Sequence, residues 1–332
     1  MADVHFLDLR EKSEDNYLKR FSRLLDESGL LDRIDRNRPI AIKIHPGEAG
    51  NLYYVKPHYV RIVYERLGNR AFLTDTTTLY PGERMIAPTY QRLVKAHGFG
   101  FAPFLVADGL RGEASKQIDG CEIAAVIDAV PQMVVISHIK GHMVTGFGGA
   151  IKNLGMGCSA KAGKLWMHSR SKPKLREERC QRCYICVEYC PNQAISRTDP
   201  PVIDYQRCTG CCGCLSVCPY RAIGIEWNAE ARYTTEGIVR YARAAVKGKT
   251  CIYINFVIDI TRHCDCFHTI EPPIGPDVGI LIATDPVAID KASYDLIEKI
   301  IRKAQPQTEP HYQIEKGVEI GLGTDQVQLI RI

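Results

Sequence analysis

No run of about eighteen apolar residues occurs in the 332-residue sequence, so no helix is expected to span a membrane. The opening Met1-Ala2-Asp3-Val4-His5 has neither a charged n-region nor an apolar h-region and does not read as a secretory signal. Charge is not concentrated in either sign. A net +5 suits docking to an acidic redox partner or an anionic cofactor, but there is no basic patch of the kind nucleic acid requires. There is no G-x-G-x-x-G fingerprint and no Walker A loop. No disordered tail hints at a partner. With 45% hydrophobic and 24% charged residues, the expectation is a soluble, cytoplasmic protein long enough for two domains.

Cysteine, by contrast, is abundant. Fourteen cysteines in a chain that reads as leaderless argue against disulfides and for metal ligation in a reducing compartment. Cys180-x2-Cys183-x2-Cys186-x3-Cys190-Pro191 is followed, 28 residues on, by Cys208-x2-Cys211-x2-Cys214-x3-Cys218-Pro219. Each half has the bacterial ferredoxin spacing, in which the fourth cysteine ligates the other cluster. Cys180, Cys183, Cys186 and Cys218 are therefore expected to hold one [4Fe–4S] cluster, and Cys208, Cys211, Cys214 and Cys190 the second. Soft thiolates suit such clusters. The steps Ala194-Ile195 and Ala222-Ile223 repeat as well. Zinc is the rival, because CxxC pairs also bind it, but zinc does not explain the doubled three-residue gap and proline. Cys212 falls outside the spacing and reads as a spare thiol.

Around this module the texture is α/β. Residues 13 to 35 read as a helix or helix pair with Leu18, Phe21, Leu24, Leu25, Leu30 and Leu31 as its apolar stripe. Strands are expected at 40–45, 71–75, 104–109, 123–127, 133–138, 252–258 and 278–282, with helices around 57–67 and 88–97. Alternation of short apolar runs with helical periods predicts an α/β fold, a mixed or parallel sheet with helices on its faces. The basic, proline-containing stretch 169–179 reads as a linker. The expected organisation is a first part of the α/β domain at 1–172, an inserted α+β ferredoxin-like 2[4Fe–4S] module at 173–226, and the second part at 227–332. His45, Asp75, Asp108 and His138 fall just after strand ends, where open α/β sheets gather ligands; polar loop residues would look the same.

The run from Ser137-His138-Ile139-Lys140-Gly141-His142 through Gly146-Phe147-Gly148-Gly149-Ala150-Ile151-Lys152-Asn153 to Gly157 resembles the signature of DUF362 proteins. The resemblance continues through Gly47-Glu48-x-Gly50-Asn51, Thr74-Asp75-Thr76, Ala107-Asp108-Gly109, Cys264-Asp265-Cys266 and Asp285-Pro286-Val287-Ala288-Ile289-Asp290, covering most of residues 35 to 300. It implies the fold and a general link to redox proteins, with the ferredoxin unit inserted as in many members, and no named substrate. A few residues of the glycine–lysine segment are also similar to lactate-racemase-like proteins, which implies a fold analogy alone.

Five glycines between Gly146 and Gly157, with Lys152, suit close backbone approach to an anion such as a flavin phosphate; Gly146, Gly148, Gly149, Lys152 and Asn153 are the candidate contacts. The bland reading is that these glycines serve backbone geometry alone. His138 and His142 would ligate a metal, relay protons, or bond to backbone in a loop. Cys264 and Cys266, with His263 and His268 near and Cys158 or Cys251 joining in space, would form a further metal or redox site, or be buried small hydrophobes. His45, Glu48 and Asn51 are candidate proton or ligand contacts.

The leading expectation is an iron–sulfur oxidoreductase. A redox protein donor such as a ferredoxin charges the clusters, and a small-molecule acceptor, FMN or another flavin, bound or released, receives the electrons in the surrounding domain. His138, Lys140 and His142 would position or protonate that acceptor. The alternatives are a non-enzymatic ferredoxin-type carrier and a metal or cofactor assembly protein. Oxygen-sensitive clusters suit an anaerobic or microaerobic cytoplasm.

Overall fold

In the computed structural model, which describes residues 1–169, 171–268 and 271–332, eight strands form one sheet. They are β1 (Ala2–Asp8), β2 (Ile40–Lys43), β3 (Ala71–Asp75), β4 (Phe104–Val106), β5 (Gln132–His138), β6 (Thr250–Val257), β7 (Gly279–Ala283) and β8 (Val327–Arg331). Across the sheet their order is β8-β1-β7-β6-β5-β2-β3-β4. Every neighbouring pair is parallel except the two made by β7, which runs against both β1 and β6. The protein is a mixed α/β fold built on a large, mostly parallel sheet.

The period-two alternation of β5 shows why the sheet must be covered twice. Met133 and Val135 enter one apolar core, and Val134 and Ile136 enter another on the opposite face. Helices Ala231–Val246 and Pro286–Ala304 cover the first face, and Tyr17–Ser28 and Pro57–Leu67 cover the second. Their ends are written locally. Asn16 caps Tyr17–Ser28 by accepting from the Lys19 amide at 3.0 Å, and Gly29 ends it at φ 62°.

Several expectations need correction. Residues 13–35 form the expected helix pair, the helix Tyr17–Ser28 and the 3-10 turn Leu30–Arg33, but Leu18 of the expected apolar stripe points outward at 39% exposure. The expected strand 123–127 is a strand only over Cys121–Ala124, and a short helix Ala125–Ala129 follows. That strand pairs with Ser115–Ile118 around Asp119-Gly120, both at positive φ, a hairpin turn away from the main sheet. The helix expected at 88–97 runs over Ala87–Val94 and passes into a wider turn, Lys95–Phe99, that accommodates Gly98 at φ 89°. The sheet's two outermost strands on one side, β1 and β8, lie outside the strands expected from the sequence.

No residue of 173–226 joins the main sheet. This segment has a ribbon pairing Lys174–Leu175 with Ile223–Gly224 and two short helices, Ile185–Glu188 and Gly213–Val217. Positive-φ residues recur at the cysteine offset: Arg182 with Gly210, Tyr184 with Cys212, Gln193 with Arg221. Within the linker stretch 169–179, Arg170 lies outside the described residues.

Candidate functional site

Strands β2, β3, β4, β5 and β6 all run the same way, so their carboxyl ends open along one edge of the sheet. The loop after β2 carries His45 and Glu48, β3 ends on Asp75, β5 ends on His138, and the loop after β6 carries Cys264-Asp265-Cys266. Residues more than 200 positions apart thereby meet. Cys266 Sγ lies 3.4 Å from His45 Nε2, Cys264 and Cys266 share a hydrogen bond at 3.0 Å, and Lys152 Nζ donates to Cys264 Sγ at 3.2 Å. The hydrogen bond with Cys266 and the Lys152 and Lys140 ammoniums outweigh burial and hold the Cys264 thiol well below its ordinary value. Its partnership with Cys264 and burial push Cys266 up. Burial, then the nearby Arg84 guanidinium, pushes His45 down to about 3. Its imidazole is neutral, with Nδ1 accepting from the Gly47 amide at 3.2 Å.

Asp265, between the two thiols in sequence, anchors their loop. His138 Nδ1 meets its Oδ1 at 2.8 Å, and Lys140 Nζ meets its Oδ2 at 3.2 Å. Burial alone would raise this carboxyl, but Lys140 and His138 hold it well below the carboxylate range. His138 uses its other nitrogen on the Ile258 carbonyl at 2.9 Å, and Lys140 also donates to the His138 carbonyl at 2.9 Å. His138 and Lys140 are thus fixed supports behind the thiols. Replacing Asp265 with alanine strands these two buried partners, and stability should fall by about 3 kcal/mol, read as a lower urea midpoint.

His142 lies in a small hairpin, Lys140–His142 against Gly146–Gly148. Its Nδ1 accepts from the Thr145 amide at 3.1 Å, and burial pushes its pKa well below the usual value. The structure therefore brings Lys140 to the Asp265 side of the centre and engages His142 with its own turn.

The glycine-rich run is likewise engaged from within. Asp290 accepts from the Ala150 and Ile151 amides at 2.7 and 2.8 Å, at the start of helix Ala150–Gly155. A Cβ on Gly149 would come within 2.3 Å of that carboxylate. Gly146, at φ 78°, packs on Pro310, and Gly148 faces the Lys152 and Lys140 stems. Asn153 accepts from Lys43 Nζ at 2.6 Å and donates to the Ile136 carbonyl at 2.9 Å. An incoming flavin phosphate would have to displace a carboxylate here. The Asp285–Asp290 motif is explained by the same contacts: Asp285 caps its own helix through the Val287 and Ala288 amides, and Asp290 caps the other.

A second buried network backs the loop after β2. Lys43 pairs with Asp75 at 2.8 Å, and Arg84 lies between Glu48 at 3.3 Å and Asp75 at 3.4 Å. Burial would raise Asp75, yet Lys43, His45 and Arg84 bring it to about 2. Asn51 donates to the Phe267 carbonyl at 3.0 Å, tying this loop to the thiol loop. Lys43 was the overlooked signal, a lone cation in an apolar strand. Asp108 is engaged apart from the thiols by the Thr77 amide and hydroxyl at 2.8 and 2.7 Å. Cys158 and Cys251 do not join Cys264; both thiols are pushed up by burial, and Cys251 lies at the far end of β6. His263 faces Glu271 at 3.7 Å, and His268 is exposed.

In the cysteine-rich segment, Cys180, Cys183, Cys186 and Cys218 line one small cavity. Cys190, Cys208, Cys211 and Cys214 line another, with Cys212 beside them. The Ala194 amide donates to Cys190 Sγ at 3.2 Å, and the equivalent Ala222 amide donates to Cys218 Sγ at 3.3 Å. Cys212, buried and pushed up to about 12 by desolvation, packs with Leu79, Leu165 and Ile225, joining the segment to the α/β domain. Lys161, which also donates to the Met85 carbonyl at 2.8 Å, donates to Ser216 across the same junction.

No helix among the described residues is long and apolar enough to cross a membrane. No curated protein matches the chain. Among solved structures, the lactate racemase apoprotein from Thermoanaerobacterium thermosaccharolyticum is similar at 16% identity and a TM-score of 0.38, over 69% of this chain and 45% of that one. The chain thus spans less than half the length of that protein. The family model described as "Domain of unknown function (DUF362)" matches residues 40–295, and on that match over most of its length the chain belongs to the DUF362 family.

Proposed function

We propose that residues 173–226 hold two [4Fe–4S] clusters and that the chain is an iron–sulfur oxidoreductase delivering low-potential electrons to an acceptor in the α/β domain. The observation that carries this is the pairing of the cavities. Each brings together three cysteines of one motif and the fourth of the other, the arrangement that two-cluster ferredoxins use. The donor chemistry fits: thiolates only, with a backbone amide aimed at the sulfur of each crossing cysteine.

When bound, such clusters supply one-electron transfer. The chain's own residues suggest where an acceptor sits. The thiol centre is partly open, it carries a cation in Lys152, and His138, Lys140 and Asp265 keep it rigid from behind. Segment 76–86 connects the two regions, with Leu79 packed on Cys212 and Arg84 bonded to Glu48 and Asp75. This geometry favours an acceptor at the Cys264–Cys266 edge over a flavin phosphate at the helix start that Asp290 occupies.

Anaerobic purification should yield about eight irons per chain and visible absorbance that dithionite bleaches. Added FMN should then be reduced by the dithionite-free, reduced protein. Folded protein without iron would refute the cluster assignment. Iron with no transfer to FMN or other small acceptors would make the chain a carrier.

A further inference from the structure

We propose that His45, Cys264 and Cys266 form a three-ligand site for one borderline-soft divalent cation of the zinc class, separate from the eight cysteines of 180–218. Nothing in this assignment depends on those eight holding clusters.

The ligand atoms of these three residues lie within 4.8 Å of one another. A tetrahedral ion with bonds of about 2.0–2.3 Å sets its ligand atoms roughly 3.3–3.8 Å apart. The 3.4 Å between His45 Nε2 and Cys266 Sγ already meets that spacing. The two sulfurs, at 3.0 Å, need to part by less than about 1 Å, one side-chain torsion's adjustment. Two thiolates and one imidazole leave a fourth position for water or substrate, the composition of a catalytic rather than a structural zinc site.

A second observation points to a ligand. Asp265 Oδ2 is buried and takes no hydrogen bond; Lys140 meets it as an ion pair at 3.2 Å, and His45 Nδ1 faces it at 3.8 Å. Metal-bound histidines characteristically give their other N–H to a carboxylate, which fixes the ring for the ion. Asp265 stands in that place: an ion on Nε2 moves the ring proton to Nδ1, which then gives up the Gly47 amide it accepts from at 3.2 Å and turns to this carboxylate.

Hydrogen bonds outside the three ligands hold the frame. The Glu48 amide donates to the Asp265 carbonyl at 2.9 Å, Asn51 donates to the Phe267 carbonyl at 3.0 Å, and the Phe267 amide closes a turn on the Cys264 carbonyl at 3.0 Å. Gly141 lies so close to the thiol loop that a Cβ would come within 2.3 Å of the Arg262 carbonyl. Lys152 gives Cys264 Sγ an N–H donor, which a metal-bound thiolate retains. His45 keeps 18% of its side chain in contact with solvent, leaving an entry path.

The test uses the full-length holoprotein and zinc alone. Wild-type protein is incubated with a small excess of zinc chloride, desalted anaerobically, and its zinc and iron counted separately. We expect one zinc per chain beyond any held by Cys264→Ser. Zinc affinity should drop by about tenfold or more in Cys264→Ser and in the milder His45→Gln, with iron content unchanged. The zinc-edge absorption spectrum should show two sulfurs and one imidazole nitrogen. Equal zinc in wild type and Cys264→Ser overturns the proposal. So does a Cys264–Cys266 disulfide in acid-trapped protein, found by peptide mass spectrometry, which would make the pair a redox dithiol. Loss of iron with the zinc difference intact would count against the clusters and not against this site.

Discussion

In Cys218→Ala protein, iron should fall from about eight to about four per chain, and adding Cys180→Ala should remove little of the remainder. Combining Cys218→Ala with Cys208→Ala should instead strip nearly all of it. The non-additivity distinguishes crossed from local pairing, because Cys218 shares its cavity with Cys180, Cys183 and Cys186 and not with its own motif. Local pairing would invert the result: the Cys208 double variant would keep about half the iron and the Cys180 double variant would lose all of it. The physical reason for crossing lies in the backbone. Two residues with positive φ at the first and second gaps of each motif curl three cysteines around one cavity, and the x3-Cys-Pro step carries the fourth to the other. Iron analysis, with the electron paramagnetic resonance of the reduced protein as a check, reads each outcome.

Acidification should destabilise the protein well before its carboxylates titrate. Burial depresses His142 well below 6.5, with the Lys152 and Lys140 cations adding and Cys264 opposing. Burial, with Lys152 and Lys164, takes His168 to about 4. Both rings are neutral in the fold but bind a proton on unfolding below 6.5. Their contribution is therefore complete above that pH and is lost as pH falls toward the folded values. At pH 5 the His168 ring costs about 2 kcal/mol, and His142 acts in the same direction. Asp290 works against this, because burial raises it to about 6 despite the amides it accepts from, so its ionisation penalty eases as pH drops. The relief between pH 7 and 5 is about 1 kcal/mol, too small to reverse the trend. The anaerobic thermal midpoint should therefore fall by several degrees between pH 7.5 and 5. In a His168→Gln variant part of that fall should disappear. An unchanged midpoint would mean the two rings take up protons in the folded state.

The parts of the fold visible in the sequence are those written in local periods. Apolar runs such as Ile40–Lys43 and Gln132–His138 fall on strands, and the Pro57–Leu67 helix begins at its proline as expected. The strand expected at 123–127 failed because Ala124, Ala125 and Val126 suit either element; the turn at Asp119-Gly120 settled it. β1 went unseen for a related reason. Its Val4, Phe6 and Leu7 do not alternate cleanly, because the strand is buried on both faces.

What the sequence by itself determined is the chemistry available: eight cysteines in two repeated motifs, a Cys-Asp-Cys step, a glycine-rich run, and polar residues at strand ends. Spacing of two or three residues constrains which sulfurs can share a loop, since a short chain has few conformations. Only the tertiary structure decided which of these groups meet. His45 reaches Cys266 across 221 positions, and Asp265 rests on His138 across 127. Asp290 takes the amides that the glycine run would have offered an anion, across 140. No local period encodes such contacts. They follow from the order in which parallel strands are laid side by side, which brings the loops at their carboxyl ends to one edge and sets the partners there.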